Sequence, residues 1–370
     1  MKIGDTTKAP DYLFRVGTAA RFFVEAKKPS VNLKESYAPA YQVRRYAWTA
    51  RLALSILTDF DEFVVYDTRV EPSKDDNPTT ARHLYLPYTD YADKWDMIAA
   101  LFHREAVLDG TLDRFTQEVK APKGSLPVDK AFLASINSWR DLLAKNIYLW
   151  DKTLSTRDLN YAVQMTLDRI IFLRIAEDRG IEVYGRLQEL LKGGEVYKRL
   201  LRLFEQADNK YNSGLFHFAE ERNRPGAPDT LTLNLYIDDE VLKKIIRGLY
   251  YPDSPYEFSM LPVEVLGNVY EQFLGKVITI GARDKVTVEE KPEVRKAGGV
   301  YYTPQYIVDY IVAKTVGKLL EDKTPRQAEK LRILDPACGS GSFLIGAYQY
   351  LLDWHVQEYV AAGPQKLYES

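Results

Sequence analysis

The sequence predicts a chain of mixed class: an α/β segment at the N-terminus, an all-α middle, and the opening of a second α/β fold near the C-terminus. Three observations carry this. Between Pro10 and Lys27 two short runs rich in aromatic and β-branched residues read as strands. From roughly Asp93 to Ile278 apolar residues recur at helical spacing. From Leu331 to Phe343 a short apolar run, a carboxylate, a small-residue turn and a helix start follow one another directly. With 370 residues, 46% of them hydrophobic, the chain can bury more than one core, as a multidomain protein does.

The first two strands, Pro10 to Val16 and Arg21 to Lys27, are joined through a short Gly17-Thr18 turn region and read as a hairpin. Side chains alternate along a strand, so Phe22, Val24 and Ala26 take one face and Phe23, Glu25 and Lys27 the other. Glu25 and Lys27 then stand side by side at the strand's end. With Asp11 brought across from the neighbouring strand, two carboxylates can hold a hard divalent cation such as Mg2+ while the ammonium positions an attacking water. That equipment suits phosphodiester hydrolysis. In the next predicted helix, Gln42 and Tyr46 are four apart and share a face, so both can point at one site.

Pro10-Asp11, with Glu25-Ala26-Lys27 beginning fourteen positions after Asp11, resembles the PD-(D/E)XK nuclease signature. Gln42-Val43-Arg44-Arg45-Tyr46 is similar to the Gln-x-x-x-Tyr element that follows the active-site strand in restriction nucleases of type I and type IIG systems. The resemblance makes Asp11, Glu25, Lys27, Gln42 and Tyr46 the catalytic set, with Asp11 and Glu25 as metal ligands. It also implies a helix ahead of the Pro-Asp strand, for which the residues before Pro10 leave little room. Phe63-Val64-Val65-Tyr66-Asp67 reads as a further strand of the same domain, placed at residues 1–92.

Residues 93–281 read as a helical connector. Ser155 caps a helix with an acid in its first turn, and Leu159, Val163, Leu167 and Ile170 continue its apolar stripe toward Gly180. Another helix starts after Pro262 and ends at Gly275. The charged stretch Ala282 to Gly299 is expected to be an exposed linker into the last domain, 282–370.

In that domain Thr303-Pro304 can start a helix whose Val308, Val312, Val316 and Leu320 fall on one face. Leu331, Ile333 and Leu334 suit a strand, and Ser342 onward suits a helix. Gly339 and Gly341 between them permit backbone angles or a close ligand approach that a side chain would block. Two nucleotide-binding readings fail: no Gly-Lys-Ser/Thr follows the turn, and position 344 is Leu where a dinucleotide fingerprint needs Gly. Asp335-Pro336-Ala337-Cys338-Gly339-Ser340-Gly341-Ser342-Phe343 resembles motif I of DNA N6-adenine methyltransferases that use S-adenosylmethionine, and Gly299-Val300-Tyr301-Tyr302-Thr303-Pro304 looks like their motif X. The resemblance implies that Tyr302, Thr303 and Pro304 lie at the methionine end of the cofactor, with Asp335, Pro336, Ala337, Gly339 and Gly341 lining its other side. The family's catalytic Asn/Asp-Pro-Pro-Tyr/Phe segment, which holds an extruded adenine, occurs nowhere in the sequence, so methyl transfer by this chain alone is not expected.

A formal net charge of −2 neither supports nor excludes nucleic-acid binding, since a duplex needs only a local cationic surface. One cysteine, Cys338, precludes an intramolecular disulfide, and His83, His103, His217 and His355 show no zinc spacing. No apolar run is long enough for a membrane span and no signal sequence is visible, which points to the cytoplasm.

Taken together, the resemblance is to type IIG restriction-modification enzymes and covers essentially the whole chain. It implies a PD-(D/E)XK-like α/β nuclease core, a helical connector bundle, and the first part of a Rossmann-like class I methyltransferase domain, incomplete within this chain. The implied protein cuts double-stranded DNA with Mg2+ and methylates adenine N6 with S-adenosylmethionine; its target sequence and oligomeric state are not legible. Two alternatives stay open: a methylation-only defence protein with a decayed nuclease region, and a non-catalytic remnant of a disrupted gene.

Overall fold

The computed structural model describes the chain except at residues 1, 4–5, 8, 17–18, 121–124, 212, 221–225, 293, 295–302, 304, 340 and 363–370. The expected Gly17-Thr18 turn, Tyr302 and Pro304 therefore lie outside the described residues. The chain divides into two compact units, Met1–Pro262 with Val277–Glu289, and Val263–Lys276 with Glu290–Ser370.

After a short pair, Lys2–Ile3 (β1) and Thr6–Thr7 (β2), the first unit builds one five-stranded sheet from Tyr12–Val16 (β3), Ala19–Ala26 (β4), Leu54–Thr58 (β5), Glu62–Asp67 (β6) and Arg82–Pro87 (β7). Strand order follows chain order. All neighbours are antiparallel except β4 and β5, which run parallel with Glu25 opposite Leu57. A parallel pair needs a crossover, and the helix Tyr37–Thr49 (α1) supplies it. The alternation expected for β4 is realised. Phe22, with Leu54, Ile56 and Val65, packs on one face against Leu112 and Phe115, while Phe23 packs on the other against Tyr46, Ala47 and Leu52. Fully burying each of these side chains is worth about 1.5–3 kcal/mol, against about 0–1 for the exposed Arg21–Asp113 ion pair on the same helix–sheet contact. Apolar burial therefore holds this layer. The helices Trp95–Phe102 (α2), Arg104–Leu108 (α3) and Thr111–Glu118 (α4) supply it, although they lie beyond the expected boundary at residue 92.

The helices Val128–Trp150 (α5), Thr156–Asp178 (α6), Val196–Tyr211 (α7) and Asp239–Arg247 (α8) follow. Ser155 caps α6 by accepting a hydrogen bond from the Asp158 amide, and Leu159, Val163, Leu167 and Ile170 are buried. Arg169 and Arg174 on the same helix are buried too. The first pairs with Asp229 at 2.7 Å; the second pairs with Asp178 at 2.7 Å and donates to the Leu249 carbonyl at 2.9 Å.

In the second unit, Val308, Val312, Val316 and Leu320 form the predicted stripe and pack against Ala347, Phe343 and Tyr350 of the helix Ser342–Ala362. Two expectations are corrected. Leu331 to Leu334 is not a strand: it joins no sheet ladder among the described residues, and Ile333 and Leu334 are 40% and 86% exposed. A strand exists only through a neighbour's hydrogen bonds, and none of the described residues offers one here. Nor is the stretch from Ala282 a simple linker. Val286–Glu290 (β9) pairs with Lys276–Ile280 (β8), Gly281 donates to the Lys285 carbonyl at 2.9 Å, and the hydroxyls of Thr279 and Thr287 meet at 2.9 Å. The β-branched alternation of Val286, Thr287 and Val288 outweighs the flanking charge.

Candidate active site

Glu25 closes the end of β4 on the face toward α1, only 3% exposed. Two donors meet on its Oε1: Lys27 Nζ at 2.6 Å and Gln42 Nε2 at 2.8 Å. Lys27 Nζ also donates to Gln42 Oε1 at 3.2 Å, which closes a three-membered ring of side chains. The Lys27 amide donates to the Thr58 carbonyl on β5, so the lysine is fixed where β4 leaves the sheet. Asp11 arrives from just before β3, its Oδ2 accepting from the Ala26 amide at 2.8 Å.

The remaining oxygen of Glu25, Oε2, is buried and has no hydrogen-bond partner among the described residues. A buried carboxylate oxygen without a donor is costly. Burial accordingly holds the Glu25 carboxyl above the usual carboxylate range, with the nearby Asp11 charge adding to it and the Lys27 ammonium opposing it. The donor set fits a hard cation in kind, because the orphaned oxygen belongs to a carboxyl that also feels the charge of a second carboxylate, Asp11. The set is small: among the described residues no group of three or more His, Cys, Asp or Glu could hold a metal ion.

Tyr46 lies one turn beyond Gln42 on α1 and within its hydrogen-bonding reach. Burial pushes its phenol up to about 12, helped by the Glu257 charge, so it stays protonated. All five predicted residues, Asp11, Glu25, Lys27, Gln42 and Tyr46, thus come together. Sequence reasoning missed what holds α1 in place. Arg45, between Gln42 and Tyr46, donates to Glu257 Oε2 and to the Tyr256 carbonyl, both at 2.8 Å, and the Glu257 amide donates to Thr49 Oγ1 at 3.2 Å. Nothing in the sequence marks Glu257 as the partner of a helix so distant in the chain.

In the second unit, Asp335 Oδ1 accepts from the Ala337 amide at 3.0 Å, and the Gly341 amide donates to the Cys338 carbonyl at 2.7 Å. Gly339 and Gly341 are left-handed, with φ of 54° and 81°, which only glycine adopts freely. A Cβ on Gly339 would sit 3.1 Å from Glu271 Oε1, whereas one on Gly341 would meet open space. Pro336 and Ala337 are exposed, and Phe343 packs on the Val308 cluster. Thr303 is half-buried and makes no hydrogen bond to another described residue.

Residues 262–363 match the N-6 DNA Methylase family. The chain is 34% identical to the type II restriction enzyme and methyltransferase RM.Eco57I of Escherichia coli, over 99% of its own length and 36% of the relative's. It is 26% identical to a putative type II restriction enzyme and methyltransferase, RM.MjaORFECS2P, of Methanocaldococcus jannaschii, over 51% of this chain and 20% of the relative. It is 27% identical to the adenine-specific methyltransferase BrxX of Escherichia coli O9:H4 (strain HS), over 37% and 13%. No solved structure matches. The chain spans about a third or less of the length of these relatives. No helix among the described residues is long and apolar enough to cross a membrane. The chain is a homologue of type IIG restriction-modification enzymes along essentially its whole length, with an N-6 DNA methylase segment within it.

Proposed function

We propose that this chain is part of a bifunctional DNA restriction-modification enzyme, in which Asp11, Glu25 and Lys27 form a PD-(D/E)XK-type centre that hydrolyses double-stranded DNA with Mg2+. The observation that carries it is the Glu25 carboxylate, buried, with both of its donors on one oxygen, the other oxygen unpartnered among the described residues, and the Asp11 charge acting on the same carboxyl. Asp11 and Glu25 would hold Mg2+, which supplies charge stabilisation to a phosphoryl oxygen and a lowered pKa to water. Lys27 sets its ammonium against Glu25 Oε1, and Gln42 fixes both Lys27 and Glu25. Tyr46, kept protonated, is hydrogen-bonded to Gln42 of the same ring of side chains.

The methylase segment is proposed to use S-adenosylmethionine and to act on adenine N6. The left-handed Gly339 and Gly341, open space beside Gly341 and the helix start at Ser342 fit one side of such a pocket. Tyr302, Thr303 and Pro304 are proposed for its methionine end.

Incubating the chain with supercoiled plasmid and MgCl2 tests the nuclease. Metal-dependent nicking is expected, reduced about a hundredfold or more in Lys27→Ala and in Glu25→Gln. Equal cutting by Lys27→Ala would overturn the assignment. No cutting by the unaltered chain would favour the second reading, a methylation protein with a decayed nuclease region, which the lack of a third acidic ligand among the described residues supports.

A further inference from the structure

The chain is slightly acidic overall, yet one open cleft of the first unit is cationic. It measures about 610 Å³ and lies between the last turns of α5 and the β8–β9 hairpin. Asp141, Lys145, Tyr148 and Leu149 line it from α5 at helical spacing, Lys152 follows, and Arg283, Asp284 and Lys285 face them from the hairpin turn.

Four cations stand there against two carboxylates, and both carboxylates are already engaged. Lys145 pairs with Asp141 at 2.6 Å, Lys152 with Asp284 at 3.0 Å, and the Tyr148 hydroxyl donates to Asp284 at 3.3 Å. Arg283 and Lys285 have no ion-pair partner among the described residues. At the rim, Glu289 accepts from the Thr287 hydroxyl at 3.2 Å. The turn itself is strained, because Arg283 and Asp284 are both left-handed at φ of 59°, a conformation that costs a non-glycine residue about 1–2 kcal/mol. The two contacts to Asp284 hold it there, and its neighbours Arg283 and Lys285 are left lining the cleft with their charges uncompensated.

We propose that this cleft binds the phosphate backbone of duplex DNA, as an anchoring surface separate from the Glu25 centre. A net positive charge concentrated within one Debye length, on an open groove whose lining includes Leu149, Val286 and Val288, suits a polyanion that passes over it. The inference rests on the DNA-cutting reading for its choice of polyanion.

The test measures binding of a labelled duplex to the whole chain by fluorescence anisotropy, in EDTA so that cleavage plays no part. Arg283→Gln with Lys285→Gln is expected to weaken binding about tenfold at low salt and to flatten the slope of log K against log salt by about 2, one for each lost phosphate contact. Lys198→Gln with Arg202→Gln on α7 is the control and is expected to leave both unchanged. Should the turn variant lower the melting temperature, Lys145→Gln on the opposite wall carries the same expectation at half the size. An unchanged slope, an equal loss in the control pair, or displacement of the duplex by millimolar inorganic pyrophosphate alone would overturn the cleft. So would a wild-type chain that binds no duplex. Weakened binding by the turn variant in a chain that cuts nothing would support the cleft and sink the nuclease; unaltered binding in a chain that cuts would do the reverse.

Discussion

Gln42 donates to the same Glu25 oxygen that Lys27 occupies, leaving the other oxygen without a donor among the described residues. A structural carboxylate of this depth would be expected to have both oxygens satisfied. The ring of Glu25, Lys27 and Gln42 instead orients the acid and leaves its second oxygen without a donor among the described residues, on a carboxyl that feels the Asp11 charge.

Stability should record that arrangement through pH. Glu25 has a folded pKa above its ordinary value of 4.5, so between the two values the folded state binds more protons than the unfolded one. Its destabilising contribution is absent below 4.5 and grows as pH rises through the raised folded value. The melting temperature of Glu25→Gln relative to the unaltered chain should therefore rise from pH 4 to pH 7. A difference independent of pH would show that Glu25 carries no such shift.

Metal should relieve the same strain. Mg2+ at a hundred times its dissociation constant would stabilise the folded chain by about 2.7 kcal/mol. Calorimetry at neutral pH is expected to show a melting temperature raised by MgCl2 in the unaltered chain and unmoved in Glu25→Gln or Asp11→Asn. An equal rise in all three would place the metal elsewhere.

The Arg45–Glu257 pair fixes the helix that bears Gln42 and Tyr46, with side chains 9% and 2% exposed. Removing one partner leaves a buried charge alone, so Glu257→Ala should cost about 3–5 kcal/mol in urea unfolding. Because the Glu257 charge helps raise the Tyr46 phenol, the same variant should lower that tyrosine's titration in ultraviolet absorbance. Replacing the pair by Arg45→Met and Glu257→Leu should recover much of the stability.

In the second unit, a Cβ on Gly346 would lie 2.7 Å from Val308 Cγ1, a distance that real side chains do not tolerate. Gly346→Ala is expected to destabilise that unit by about 1–3 kcal/mol. Combined with Val308→Ala, it should cost less than the sum of the two single changes, as read by protease resistance of the unit. Strict additivity would mean that the two helices are not in contact at this glycine.

What the sequence by itself determined is local. The alternation along Phe22 to Lys27, the four-residue spacing of Gln42 and Tyr46, the Ser155 cap and the Val308 stripe each depend on a few neighbouring positions, and each appears in the structure as read. Tertiary structure decided the rest. It supplied Glu257 to Arg45 from more than two hundred residues away, joined β8 to β9 across a turn whose charge suggested a linker, and left Ile333 and Leu334 exposed with no partner strand among the described residues. The physical reason is the same in all three. Ion pairs and sheet ladders are satisfied by groups that only the fold brings near, whereas side-chain periodicity is set by the backbone's own geometry.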